Sequence, residues 1–157
     1  MGAVIPPFIS TTMGTLDGKG RVCIPSAYRQ ILAVQNMSAV YACPSFYEPA
    51  LECFGEDVLQ AFHHQLAAQD PFFAPEDDDK SFAIMSMSQS LSFDENGRVR
   101  LPDDFISHAG LKDKVTFVGM GRKFQIWETE RFAPVQAERL KRARIVRESF
   151  KTGGSSA

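Results

Sequence analysis

The stretch DGKGRVCIP, residues 17–25, returns in nearly the same form as DENGRVRLP, residues 94–102. The two copies start 77 residues apart and share an aspartate, a glycine, an arginine, a valine and a proline at matching places. In each copy the glycine suits a tight turn that needs a positive φ, and the valine segment after it favours a strand. Each copy therefore predicts a strand, a turn and a returning strand that ends at the proline.

The similarity between the two halves continues beyond these copies. Leu16 matches Phe93 before the turn, and Tyr28 matches Phe105 after it. Each half then follows the order strand, turn, strand, short helix, strand, strand, long helix. One such unit is too small to close a core by itself, so the two halves are expected to pack as a pseudo-two-fold pair.

The predicted fold class is α+β with a mainly β core, divided along the chain in four parts. The first repeat covers residues 8–70, an acidic linker segment covers 71–87, the second repeat with its C-terminal helix covers 88–150, and a disordered tail covers 151–157. The strand RVCI is expected to pair with TTMGTL across its own turn. Ser26 is expected to cap the first short helix, and Gly110 to end the second one in a left-handed conformation.

Composition excludes some classes of function. The chain has 157 residues, of which 44% are hydrophobic, and its formal net charge is −2. This charge gives no broad attraction to nucleic acid or membrane, so binding to a polyanion needs locally clustered Lys and Arg. No segment approaches the roughly 18 apolar residues of a membrane span, and the first ten residues do not resemble a secretory signal. The three cysteines lack CxxC spacing and are expected to be free, mostly buried thiols of a cytoplasmic protein.

The repeated motif has a structural and a chemical interpretation. Structurally, its aspartate accepts hydrogen bonds from N–H groups of its own turn and pairs with the arginine four residues on. Chemically, an arginine held beside a rigid turn presents a guanidinium that matches the edge of guanine or a phosphate. The turn-shaping candidates are Asp17, Gly20, Asp94 and Gly97. The DNA-binding candidates are Lys19, Arg21, Arg98 and Arg100.

Three segments of the chain, LDGKGRVCIPSAYR, FDENGRVRLPDDFISHAGL and VTFVGMGRKFQIWETERF, resemble the MraZ family of bacterial transcriptional regulators. The resemblance extends from about Phe8 to Phe150. It implies two tandem AbrB-like swapped-hairpin repeats that form a double-split β-barrel pseudo-dimer. It also implies a homo-oligomer, a closed ring, that binds double-stranded DNA at short guanine-containing direct repeats upstream of the division and cell-wall gene cluster, in the nucleoid.

The family's Asp-x-x-x-Arg motif assigns the principal DNA contact to Arg21 and, in the second copy, to Arg98. Asn96 stands where the first copy has Lys19, so the first half is expected to contact DNA more strongly. Many relatives carry arginines where this chain reads PEDDDKS. That acidic segment is therefore expected to lie away from DNA; the alternative is that this protein binds DNA weakly or relies more on its partners in the ring.

The remaining sequence features do not indicate an enzyme. The three histidines lack partners at metal-ligand spacing, and no catalytic motif is present in the sequence, so no metal, cofactor, catalytic residue or small-molecule substrate is expected. The basic stretch at 138–151 is either a solvated helix, which we favour, or a second contact for DNA or another macromolecule. Phe72, Phe73 and Phe82 are either core or an interface between protomers. The alternative function is an oligomeric interaction protein, such as an antitoxin-like scaffold, with the same fold.

Overall fold

The structure is a computed structural model that describes residues 4–68, 72 and 75–154, with side chains as far as Lys151. The strands are β1 Thr11–Thr15, β2 Arg21–Cys23, β3 Ala39–Pro44, β4 Leu51–Phe54, β5 Gln89–Ser92, β6 Arg98–Arg100, β7 Lys114–Gly119 and β8 Phe124–Glu128. The helices are α1 Ser26–Val34, α2 Glu56–Ala67, α3 Pro75–Ser81, α4 Asp103–Ala109 and α5 Thr129–Gly154. A π-helical turn, Phe82–Ser86, follows α3 directly. Parts of the predicted linker, at 71 and 73–74, and of the predicted tail, at 155–157, lie outside the described residues.

The larger sheet has the order β1–β7–β8–β4–β3–β5, with every neighbouring pair antiparallel. In the two halves, β1 corresponds to β5, β7 to β3 and β8 to β4. Exchanging each strand for its counterpart therefore gives the same order read from the other edge of the sheet. The first strand of each half pairs with a strand of the other half, β1 with β7 and β5 with β3. The mixed α+β fold with a sheet-centred core agrees with the sequence analysis, and the two halves are intertwined.

The predicted pairing of β2 with the strand before it is wrong. β2 pairs with β6 as a separate antiparallel ribbon, and an isolated bridge between Leu16 and Val22 joins the two arms of the first turn. The β2–β6 pairing places Val22 of one half opposite Val99 of the other, and both side chains are buried in the shared core. Burial of this apolar pair between the halves is a reason for the exchange, because a single hairpin has no such partner.

The main core receives equivalent residues from both halves. Tyr28 and its counterpart Phe105 are both buried, as are Ile24 and Leu101. A second, smaller cluster beneath the start of α5 contains Ala50, Val118, Trp127 and Phe132. The N-terminus of α5 is therefore fixed to the sheet by buried apolar contacts.

The predicted helix ends are correct in one case and wrong in the other. Gly110 ends α4 with a φ of 60°, as its position after the helix predicted. Ser26 does not cap α1: it is already the first helical residue, and Pro25 holds the N-cap position without a side-chain hydrogen bond. The ψ of 138° at Pro25 gives this residue the extended conformation of an N-cap, which moves Ser26 into the helix.

Two of the three thiols are buried, as expected. Burial raises the pKa of Cys43 and, more strongly, that of Cys53, while Cys23 is exposed. Among the described helices, none has the length and apolar character needed to cross a bilayer.

Candidate nucleic-acid interface

The first turn is organised around the carboxylate of Asp17. Its Oδ1 accepts hydrogen bonds from the backbone N–H groups of Lys19 and Arg21, each at 2.9 Å. Its Oδ2 accepts a hydrogen bond from Nε of Arg21 at 2.7 Å. One carboxylate therefore fixes both the backbone of the turn and the orientation of the arginine side chain.

The second turn repeats this arrangement. Oδ1 of Asp94 accepts from the N–H groups of Asn96 and Arg98 at 2.8 and 2.9 Å, and Oδ2 accepts from Nε of Arg98 at 2.9 Å. The glycines before the arginines, Gly20 and Gly97, have φ values of 77° and 75°. Residues with a Cβ adopt this conformation only at a cost, so the motif needs glycine at this position.

Hydrogen bonding keeps both carboxylates ionised. The hydrogen bond from the backbone N–H of Arg21 is the largest influence, and it lowers the pKa of Asp17 to about 2 despite some desolvation. The corresponding bond from the backbone N–H of Arg98 lowers the pKa of Asp94. Each arginine is thus held by a charge-assisted hydrogen bond at neutral pH.

The β2–β6 ribbon brings the two turns together. Arg21 lies opposite Arg100, Val22 opposite Val99, and Cys23 opposite Arg98. Because side chains alternate along a strand, the two valines face the core while the arginines lie on the other face. The end of each strand is also bound to the other turn, since the N–H of Ile24 donates to Gly97 O at 3.1 Å and that of Leu101 donates to Gly20 O at 2.8 Å.

The arginines retain unpaired donors on the face of the ribbon. The side chains of Arg21 and Arg98 are 28% and 32% exposed, and their hydrogen bonds to the described residues are donated by Nε. The Nη groups make no hydrogen bond within that part of the chain and can donate to a guanine edge or a phosphate. Lys19 and Arg100 are exposed beside them. All four predicted basic candidates thus belong to the two turns and the ribbon that joins them.

The register of the ribbon adds a residue that the sequence analysis did not place here. Cys23 lies opposite Arg98 and two residues after Arg21 on the same face, and its Sγ is 3.5 Å from Asn96 O. Its exposure follows from the alternation of side chains along a strand, because the neighbouring Val22 faces the core.

The remaining candidates lie outside this ribbon. His63 and His64 are exposed on α2, and no group of three or more potential metal ligands occurs among the residues described. The acidic residues 76–79 belong to α3, and the basic stretch at 138–151 belongs to α5. Phe72 and Phe82 are exposed and so do not belong to the core, whereas Phe73 lies outside the described residues.

Comparison with known proteins identifies the family. The family model described as "MraZ protein, putative antitoxin-like" matches residues 84–151. The chain is 38% identical over 149 residues to the transcriptional regulator MraZ of Azorhizobium caulinodans, an alignment that covers 95% of this chain and 94% of the relative. It is 37% identical over 131 residues to the transcriptional regulator MraZ of Rhizobium johnstonii, covering 83% and 90% of the two chains. At this identity over nearly the whole length of both partners, the chain belongs to the MraZ family.

Proposed function

We propose that this protein is a sequence-specific DNA-binding transcriptional regulator whose β2–β6 ribbon contacts the duplex. The observation that carries the proposal is the pair of Asp-fixed arginines, Arg21 and Arg98, brought by one ribbon to the same face. Their side chains are partly exposed, and their Nη groups make no hydrogen bond to the described residues. Their preset orientation lowers the entropy lost on binding, and a guanidinium can donate two hydrogen bonds to O6 and N7 of guanine. The names of the relatives, which describe transcriptional regulators, support the same role.

The proposed binding unit is a homo-oligomer. One protomer offers three arginines on this face and Lys19 in the adjoining turn, which neutralise few phosphates and give weak, salt-sensitive binding. Protomers in a closed ring engage several direct repeats at once, and linked sites raise the overall affinity by roughly 10²–10⁴-fold. The exchanged strands and the symmetric sheet order support two AbrB-like repeats in a double-split barrel as the protomer fold. Such a regulator acts at the nucleoid in the cytoplasm, without catalysis.

The alternative is an antitoxin-like interaction protein that uses the same face for a protein partner. The description of the matching family model favours this second candidate. The two candidates differ in their dependence on guanine. A protein that uses this face for a protein partner has no preference for one duplex sequence over another. A protein that reads DNA binds a guanine-containing native duplex more tightly than a scrambled one.

The test compares binding of the wild type, Arg21→Ala and Arg21→Lys to a duplex from upstream of the protein's own gene and to a scrambled duplex, across a salt series. Arg21→Ala is expected to lose affinity for both duplexes and to flatten the salt dependence. Arg21→Lys keeps the charge but not the planar fork, so it should lose the preference for the native duplex and keep the affinity for the scrambled one. Arg122→Ala removes an exposed arginine outside the ribbon and serves as the matched control.

The proposal fails if the folded, oligomeric wild type binds both duplexes equally at every salt concentration. It also fails if Arg122→Ala and Arg21→Ala lower affinity by the same factor, because the ribbon would then have no special part in binding.

A further inference from the structure

The second half of α5 extends beyond the body of the protomer. Phe132 is buried and Val135 is half-buried at its start, but every residue from 140 to 151 is exposed. These twelve residues correspond to about 18 Å of helix. An extended exposed helix with apolar residues on one face is a common peptide-recognition element.

The exposed part of α5 continues the helix face that is buried at its start. Phe150 follows Phe132 by 18 residues, which is five turns, and Val146 follows Val135 by 11 residues, which is about three turns. Val146 is 52% exposed and Phe150 is 77% exposed. We call Val146 and Phe150 the α5 stripe. One face of the helix is therefore packed on the sheet at one end and uncovered at the other.

A groove between α2 and the π-helical turn offers a matching apolar surface. Its lining includes Phe62 and Leu66 from α2 and Ala83 and Ile84 from the π-helical turn. No residue of α2 is buried, although the helical spacing of Leu59, Phe62 and Leu66 places them on one apolar face. The groove thus leaves apolar side chains of both walls partly uncovered.

The charges beside the two surfaces are opposite. α3, which leads directly into the π-helical turn, carries four carboxylates in succession, at 76–79. Lys80 follows them and lines the groove, with its Nζ 4.0 Å from Oδ1 of Asp77, so the acidic charge outweighs it four to one. Residues 141–151 of α5 carry five lysines and arginines and one acid. At 100° per residue, Arg142 and Arg147 flank the α5 stripe, whereas Lys141 and Arg144 lie on the far side of the helix. The stripe and its flanking arginines therefore complement the groove and the acidic helix beside it.

We propose that the α5 stripe of one copy docks in the α2–π groove of a neighbouring copy. The α5 stripe is exposed in its own protomer and does not fill that protomer's groove. A stripe that docks in the groove therefore comes from a second chain. This contact joins two different surfaces, and repeated contacts of that kind close into a ring or grow into a filament. The inference rests on the homo-oligomer of the proposed function and assigns its contact, while DNA binding is measured separately.

The test begins with two variants that each remove one side of the contact, Phe150→Asp and Leu66→Asp. Sedimentation velocity is expected to show that each variant alone dissociates at a concentration at least about tenfold higher than the wild type does. A mixture of the two is expected to form heterodimers, because the intact stripe of the Leu66 variant meets the intact groove of the Phe150 variant. Heterodimer formation also shows that both variants are folded. Ile145→Asp, at an exposed apolar position on the other side of α5, is the matched control and should assemble like the wild type.

A charge exchange tests the electrostatic part. Arg142→Glu with Arg147→Glu should weaken assembly, and adding Asp78→Lys with Asp79→Lys should restore it. Lys141→Glu with Arg144→Glu changes the net charge equally on the far side of the helix and should leave assembly unchanged.

Three results would overturn the proposal: normal assembly of Phe150→Asp, no association in the mixture, or equal loss with Ile145→Asp. Failure of the proposed function would appear differently. The wild type would then assemble through the α5 stripe but bind native and scrambled duplexes equally.

Discussion

Arg21 lies directly opposite Arg100 in the antiparallel pairing of β2 with β6. Like charges at opposite positions of neighbouring strands destabilise the pair. The register is held nevertheless, because a slip by one residue would turn Val22 and Val99 out of the core and the arginines into it. The core thus holds two cations together on one face at a cost to the stability of the ribbon.

Replacing Arg100 by glutamate should raise the stability of the fold and lower its affinity for DNA. Arg100→Glu sets a carboxylate opposite Arg21, so the free energy of unfolding is expected to rise by a few tenths of a kcal/mol, up to about 1. Affinity for DNA should fall, because a carboxylate on the proposed contact face repels phosphate. Urea denaturation and a duplex titration measure the two effects, with Arg100→Gln as the control that removes charge only. A gain in both stability and affinity would contradict the assignment of this face.

The glycines of the two turns should differ in their tolerance of alanine. Both Gly20→Ala and Gly97→Ala force a Cβ into positive φ, which costs roughly 1–2 kcal/mol. At Gly97 the Cβ would also lie 2.5 Å from Cζ of Arg29, whose Nε donates to Ile24 O at 3.0 Å. Gly97→Ala is therefore expected to lower the free energy of unfolding more than Gly20→Ala does.

Gly18→Ala is the control for this comparison, because nothing lies within 4 Å of its added Cβ. Urea denaturation at one fixed protein concentration ranks the three variants, since assembly couples stability to concentration. An equal loss for Gly97→Ala and Gly18→Ala would show that neither the left-handed backbone nor the Arg29 contact limits the second turn.

The sequence predicts the local features of this molecule, such as turns and a helix end, better than it predicts which strands pair. The Asp17–Arg21 contact and the positive φ of Gly20 follow from residues a few positions apart, whose chemistry is complete within the turn. The end of α4 at Gly110 is likewise a local feature, because a glycine after a helix suits the left-handed conformation that ends it. The structure agrees with these expectations because no distant residue is needed to satisfy them.

The partner of β2 could not be predicted in this way. A Gly-containing turn fixes how the chain reverses, but pairing across the turn and pairing with the other half bury similar apolar residues. The choice depends on the combined core, where Val22 meets Val99. The Arg21–Arg100 register has the same origin, so the shape of the candidate site is set by contacts 73 or more residues apart.

Lowering the pH should lower the free energy of unfolding, because the two motif aspartates become protonated. The ordinary pKa of Asp17 is 3.8, and in the folded chain it is about 2. Its hydrogen bonds therefore contribute their full stability above about pH 4, and this contribution is lost as the pH falls through 3.8 towards 2. The pKa of Asp94 is shifted in the same direction, so its contribution is lost on the acid side as well.

The double variant Asp17→Asn, Asp94→Asn measures this effect. Its urea midpoint should be lower than that of the wild type at pH 6, and the difference should shrink towards pH 2. Asp104→Asn makes the same chemical change at an exposed position of α4 and is the control. A difference that stays constant from pH 6 to pH 2 would mean that ionised carboxylates do not hold the turns.

Lys123 should matter for stability because of the buried Glu52. Lys123 Nζ forms an ion pair with Oε2 of Glu52 at 2.8 Å, and Oε2 accepts no hydrogen bond from the described residues. Oε1 of Glu52 accepts a hydrogen bond from Nε2 of Gln125 at 2.7 Å. Removing one member of a fully buried ion pair costs roughly 3–5 kcal/mol, because the other charge stays desolvated. The side chain of Lys123 is 31% exposed, so water can replace part of its effect. Lys123→Met is therefore expected to lower the free energy of unfolding by about 1–3 kcal/mol.

A second substitution distinguishes loss of charge pairing from loss of packing. Adding Glu52→Gln to Lys123→Met removes the uncompensated carboxylate, so the double variant should regain part of the stability. Arg122→Met, at the exposed neighbouring position, should change the free energy of unfolding by less than about 0.5 kcal/mol. If Lys123→Met matches Arg122→Met in urea denaturation, water alone compensates Glu52 and the ion pair adds nothing to stability. If the double variant is no more stable than Lys123→Met, the loss arises from packing of the lysine side chain against its neighbours.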